Sequence, residues 1–95
     1  QSVSLRADYS LLSELREFQA EYDADGVPSA RVRINVKLVK MPQRSIIASI
    51  AVQKVVKARG ADIISVVEAF DAALGKALKR IVEWTLRTVP PIRRR

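Results

Sequence analysis

DYSLLSELREFQAEY, residues 8–22, admits two structures, and the topology of the whole 95-residue chain follows from which one it adopts. Leu11, Leu12, Leu15, Phe18 and Tyr22 fit a helical stripe, because side chains three and four positions apart share one side of a helix. Taken by twos, Leu12, Phe18, Ala20 and Tyr22 share a strand face, but Glu14 and Arg16 fall among them. Periodicity alone therefore favours helix. Just beyond, Asp25-Gly26 marks a tight turn, and Pro28 keeps the chain from coiling onward.

The sequence downstream is less ambiguous. Over residues 30–40, Val32, Ile34, Val36 and Leu38 alternate with Arg31, Arg33, Asn35 and Lys37, the pattern of a strand with one dry and one basic face. Met41-Pro42-Gln43-Arg44 reads as a turn with proline at a favoured corner. Residues 45–58 return as a second strand whose drier face holds Ile46, Ala48, Ile50 and Val52. Residues 61–87 form the one long helix. There Val67, Phe70, Leu74, Ala77, Ile81 and Trp84 recur at steps of three and four, Asp62 can cap the first turn, and Pro90-Pro91 forbids continuation. Each large apolar side chain buried on it stabilises by roughly 1.5–3 kcal/mol. That gain requires a surface to lie on, and the dry face of the hairpin supplies one.

The totals bound the rest. A chain of 95 residues makes one small domain with a modest core. Its 48% hydrophobic content, with 3 Gly and 4 Pro, argues for folding rather than disorder. No apolar run reaches the roughly eighteen residues of a membrane-spanning helix. The chain shows no leader and opens on Gln1 rather than Met, which reads as a processed or excised piece of a longer product. The absence of Cys removes disulfides and thiol chemistry, and the absence of His removes the usual proton shuttle and the commonest metal ligand. The lack of Cys does not identify a compartment, although it is compatible with an oxidising one.

The net charge of +7 is unevenly spread: −4 over residues 1–25, +8 over residues 26–60 with no acid, and +3 thereafter. Such a basic block can face nucleic acid, anionic lipid or an acidic neighbour. The mildest explanation is that the acidic first segment pairs with the basic second one.

Chemistry-bearing motifs are weak. Asp23-Ala24-Asp25-Gly26 is similar to the opening of a calcium loop but lacks the bidentate Glu at the twelfth position, so a solvated turn is the better reading. Gly75-Lys76 sits mid-helix without a preceding glycine loop and is no phosphate cradle. No paired carboxylates project from a pocket-forming segment. The expectation is a protein that is not an enzyme and takes no cofactor or metal. Arg31, Arg33 and Lys37 are candidate contacts to an anionic surface; the alternative is a solvated sheet face. No aromatic is interleaved with them, as platforms for single-stranded nucleic acid require. Trp84 reads as a packing residue with Phe70, Leu74, Ala77 and Ile81, and Arg93-Arg94-Arg95 as a solvated or surface-seeking tail.

Taken together these residues resemble the auxiliary component of bacterial ABC-type transport systems, a family of lipoproteins that accompany MCE/Mla-type lipid transporters. The resemblance begins at Ala7-Asp8-Tyr9, the entry to a strand ending in Phe18, and continues through the basic-apolar strand ending at Leu38 and the Ala48-Ser49 pair. Its most specific part is Ala69-Phe70-Asp71-Ala72-Ala73-Leu74-Gly75 with Trp84 near the helix end. Two departures stand out: Met41-Pro42-Gln43-Arg44 replaces the family's Asp-Thr-Gly-like hairpin turn, and Val52 stands where an aromatic is common.

The resemblance covers most of this chain and about the C-terminal half of the family's domain. It implies that residues 8–22 are extended, against the periodicity; tertiary context overrides such local preferences. The expected fold is then α+β: a three-stranded antiparallel meander (about 5–22, 30–40 and 45–58) followed by one long helix on one face, the C-terminal half of a larger α/β/α domain. The implied function is a non-catalytic periplasmic role in moving lipid or another hydrophobic substrate. Its partners would be the permease and MCE-type substrate-binding components, and the full-length protein would be anchored through an N-terminal lipid. An uncovered sheet edge implies self-association, as a dimer. Were residues 8–22 helical instead, the order helix, strand, strand, helix would resemble small RNA-binding modules. Those begin their last helix with lysines where this chain has Ala61-Asp62, so no nucleic acid is expected.

Overall fold

A computed structural model describes residues 2–6 and 9–88. Four strands, β1 (Ser2–Arg6), β2 (Tyr9–Tyr22), β3 (Pro28–Lys40) and β4 (Ser45–Lys57), precede one helix, α1 (Ile63–Thr88). The strands form an antiparallel sheet in the order β1-β2-β3-β4. The expected meander is β2, β3 and β4, and the helix lies on one face of it, against β3 and β4. The span expected as a single first strand divides in two: β1 folds back and pairs with β2 from Tyr9 to Leu12, which adds a short edge strand. Ala7, Asp8, Pro90-Pro91 and Arg93-Arg94-Arg95 lie outside the described residues.

Residues 9–22 are extended, which removes the helix-strand-strand-helix order on which the RNA-binding alternative depended. Their misleading periodicity has a specific cause. The β2–β3 register pairs Leu11 with Leu38, Ser13 with Val36 and Leu15 with Ile34, then slips so that Phe18 pairs with Val32, Ala20 with Ala30 and Tyr22 with Pro28. A β-bulge between Leu15 and Glu17 inserts one extra residue, Arg16, and so changes the parity of every residue after it. The helix-facing side chains are odd-numbered before the bulge and even-numbered after it. Leu11, Leu15, Phe18 and Tyr22 thereby acquire steps of four, three and four, the spacing of a helix.

β3 is the middle of the structure. Ala30, Val32, Ile34, Val36 and Leu38 are all buried on its helix-facing side. On β4, Ala48, Ile50 and Val52 share that side, as expected. Ile46 does not: a second register shift sets it opposite Val39, on the other face of the sheet, where it is largely exposed. Val52 is buried in the core although it is no aromatic.

Asp62 caps α1, as its position suggests. Its carboxylate accepts the Ser65 N–H at 3.1 Å and the Ser65 hydroxyl at 2.8 Å, satisfying one of the orphan donors of the first turn. These bonds hold the Asp62 carboxyl below its ordinary pKa. Ala77 and Ile81 are buried, and Phe70, Leu74 and Trp84 pack half-buried against the same core. The deepest line, however, is Ala69, Ala73, Ala77, Ile81 and Thr85, a ridge of mostly small residues four apart that lets the helix sit close to the sheet. Val67, expected on the dry stripe, is exposed. Phe70 instead stacks on Phe18 of β2, with ring centroids 4.6 Å apart.

Candidate anion-contacting sheet face

The side of the sheet away from α1 gathers the polar half of each strand. From β3 come Arg31, Arg33, Asn35 and Lys37. β2 sets Gln19, Glu17 and Glu14 against the first three of these and Leu12 against Lys37. β4 contributes Val55, Gln53, Ala51 and Ser49 opposite the same four positions.

The three candidate cations do not act alike. Arg31, 27% exposed at its side chain, donates from Nε to Glu21 Oε2 at 2.8 Å, and its Nη1 lies 3.9 Å from Glu17 Oε1. It is committed to β2. That arrangement realises, for this residue, the acidic-to-basic pairing expected from the charge blocks. Arg33 and Lys37 are exposed, and among the described residues no ion pair reaches either of them.

Lys57 is the second cation taken up internally. Its ammonium lies 2.6 Å from Asp25 Oδ2 and 3.9 Å from Asp23 Oδ2, tying the end of β4 to the β2–β3 turn. The hydrogen bond between them lowers the Asp25 pKa and raises that of Lys57. Asp23-Ala24-Asp25-Gly26 is a turn: the Gly26 N–H donates to the Asp23 carbonyl at 3.0 Å, Gly26 has a φ of 78°, and Asp25 Oδ1 accepts the Val27 N–H at 2.9 Å. Both aspartates serve this turn and Lys57.

Sequence reasoning passed over Asn35. It lies between Arg33 and Lys37, its Oδ1 buried without a hydrogen-bond partner among the described residues. One shallow hollow beside it is lined by Arg33, Lys37, Ser49 and Ala51, and another by Leu12, Glu14 and Lys37. The signal for it was present: Asn35 is the one amide in an otherwise basic alternation. Chemically the face offers a guanidinium, an ammonium, an amide and a hydroxyl, donors suited to an anionic oxygen. Among the described residues no group of three or more Asp and Glu side chains is placed to hold a metal ion.

No family model and no curated protein matches the chain. Among solved structures, it is similar to a protein of Xanthomonas campestris described by the family name DUF330, with a TM-score of 0.82 and 30% sequence identity. The similarity covers 88% of this chain and 48% of that one, so the chain spans about half the length of the structure it matches.

Proposed function

We propose that this sheet-and-helix unit belongs to a non-catalytic auxiliary component of a bacterial ABC-type transport system. It would act in the periplasm on lipid or another hydrophobic substrate and be anchored in the full-length protein through an N-terminal lipid. The permease and MCE-type substrate-binding components are its proposed partners. The order of motifs through Ala69-Phe70-Asp71-Ala72-Ala73-Leu74-Gly75 and Trp84 supports this reading, together with the likeness to the DUF330 protein.

The observation that carries the local mechanism is the pair Arg33 and Lys37 on the face away from the helix, which no ion pair reaches among the described residues. Each basic group held near an anionic membrane contributes about 1 kcal/mol, so the pair biases the unit towards anionic headgroups. Co-sedimentation with vesicles of mixed anionic and zwitterionic lipid tests it. Binding is expected to need the anionic lipid, to weaken as salt screens the charges, and to fall roughly tenfold or more in the double substitution Arg33→Ser, Lys37→Ser. Binding indifferent to salt, or equal with purely zwitterionic vesicles, would remove the headgroup role. The transport assignment is tested separately by the reading frames around the gene, where an ATPase and a permease, and a lipid-modified Cys upstream, are expected.

A further inference from the structure

We infer that β4 is a self-complementary edge and that two copies of this chain pair along it, antiparallel, about a twofold axis at Ala51. β4 is the last strand of the sheet, and its outer side is unpaired over 13 residues among the described residues. Natural edges of that length are blunted by charge, proline, a bulge or a covering element, and an unblunted stretch recruits another strand. β4 has a bulge at Ile47 and lysines at 54 and 57, the latter bonded to Asp25, but from Ala48 to Gln53 it carries no charge and no proline, and Ile46, Ile47 and Val55 are 58%, 45% and 48% exposed.

The partner is argued from the sequence of the strand itself. An axis at its midpoint, Ala51, sets Ile50 against Val52, Ser49 against Gln53 and Ala48 against Lys54. The bulge at Ile47 carries through to this edge, so beyond it Ile46 comes alongside Val55 and Ser45 alongside Val56. Apolar meets apolar at Ile50 and Ile46, polar meets polar at Ser49, Lys54 faces Ala48, and Lys57 is bonded to Asp25 of its own chain, so no like charges oppose one another. Moving the axis by one residue sets Ile46 against Gln53 in one direction and Lys54 against Ile50 in the other. The opposite long edge is unsuited to the same use. Beyond Leu12, β2 has no partner on its outer side among the described residues, but that strand carries Glu14, Glu17 and Glu21, which would repel a second copy. The twofold axis is perpendicular to the sheet, so the assembly continues the four strands into a second four with both helices on one face.

The register makes the test specific. Light scattering after size exclusion should give twice the 10.6 kDa chain mass. Ser49 and Gln53 are exposed and lie opposite Lys37 and Arg33 of β3, so Ser49→Glu with Gln53→Glu adds no like-charge pair within the sheet, sets glutamate against glutamate twice across the dimer, and should halve the mass. Ser49→Glu with Gln53→Lys pairs opposite charges and should restore it. Since the chain has no cysteine, Ala51→Cys places one thiol against its own copy and should cross-link on mild oxidation, whereas Ser49→Cys should not. A monomeric wild type, a dimer indifferent to the glutamate pair, or cross-linking at Ser49 equal to that at Ala51 would each overturn the inference.

Discussion

Asp25 and Lys57 give the molecule a definite response to pH. The folded carboxyl titrates below its ordinary value of 3.8 because the Lys57 ammonium and the Val27 N–H bond it. Its contribution is therefore fully present above that value and lost as the pH falls through the folded pKa. The Lys57 ammonium titrates above its ordinary 10.5, so its contribution is complete below that value and lost as the pH rises through the folded pKa. Stability contributed by the pair is flat between about pH 4 and about pH 10. In Lys57→Met the Asp25 carboxyl should titrate higher, by carbon-detected magnetic resonance; an unchanged titration would show that the pair does not form. A second residue effect has the opposite sign to most substitutions. Gly75 lies in the exposed middle of α1, and a Cβ there meets nothing within 4 Å. Gly75→Ala should therefore raise stability by about 0.5–1 kcal/mol, measured by urea unfolding. Gly26→Ala should lower it, because the turn holds φ at 78°.

Among the elements, β2 teaches most. If Arg16 is only the extra residue of a bulge, deleting it should turn β2 into a regular strand without moving any apolar side chain to the wrong face. Leu15 would remain opposite Ile34 and Phe18 opposite Val32, and Phe18 would still stack on Phe70. The deletion should cost less than about 1.5 kcal/mol, within the usual range for a single change. Deleting Gln19 instead flips Ala20 and Tyr22 across the sheet and should cost more. Cross-strand proton contacts between Phe18 and Val32 read the first outcome, and those between Tyr22 and Pro28 the second. The same bulge sets the limit of what the sequence could show. β3 was legible because its alternation runs unbroken from Ala30 to Leu38, and α1 because a cap, a stripe and a terminator agreed. β2 was not, since one inserted residue converts a two-residue period into a helical one, and no composition signal marks where the insertion falls. Ile46 was misplaced for the same reason. Ile47 breaks the parity of β4 near its start. At the sheet face, the basic alternation placed Arg31, Arg33 and Lys37 together correctly. It left open that Arg31 would be held by Glu21, since that depends on which strand lies beside β3 and in what register.

At the scale of the whole molecule the notable property is how little of it is thick. It measures 56 × 25 × 16 Å, with a radius of gyration of 16.7 Å, against about 12 Å for a compact chain of this length. One helix laid over β3 and β4 leaves the helix-facing side of β2 open, so Leu15, Phe18 and Tyr22 stay exposed beside it. Cohesion then falls on a single line through β3, whose Val32, Ile34 and Val36 join the buried alanines of α1 and Val52 of β4 in one core. With one such core among the described residues, the molecule should unfold all at once. The two layers carry separate reporters. Trp84, the single tryptophan, is half-buried where helix meets sheet, and backbone circular dichroism sees all elements together. Ile34 is the sharpest place to press, because it faces the helix between Leu15 and Val52. Ile34→Ala should lower stability by about 2–5 kcal/mol and shift the fluorescence and dichroism transitions together. If the tryptophan signal were lost first while the strands persisted, the helix would be a detachable layer, and β3 would not be the element that binds the structure into one unit.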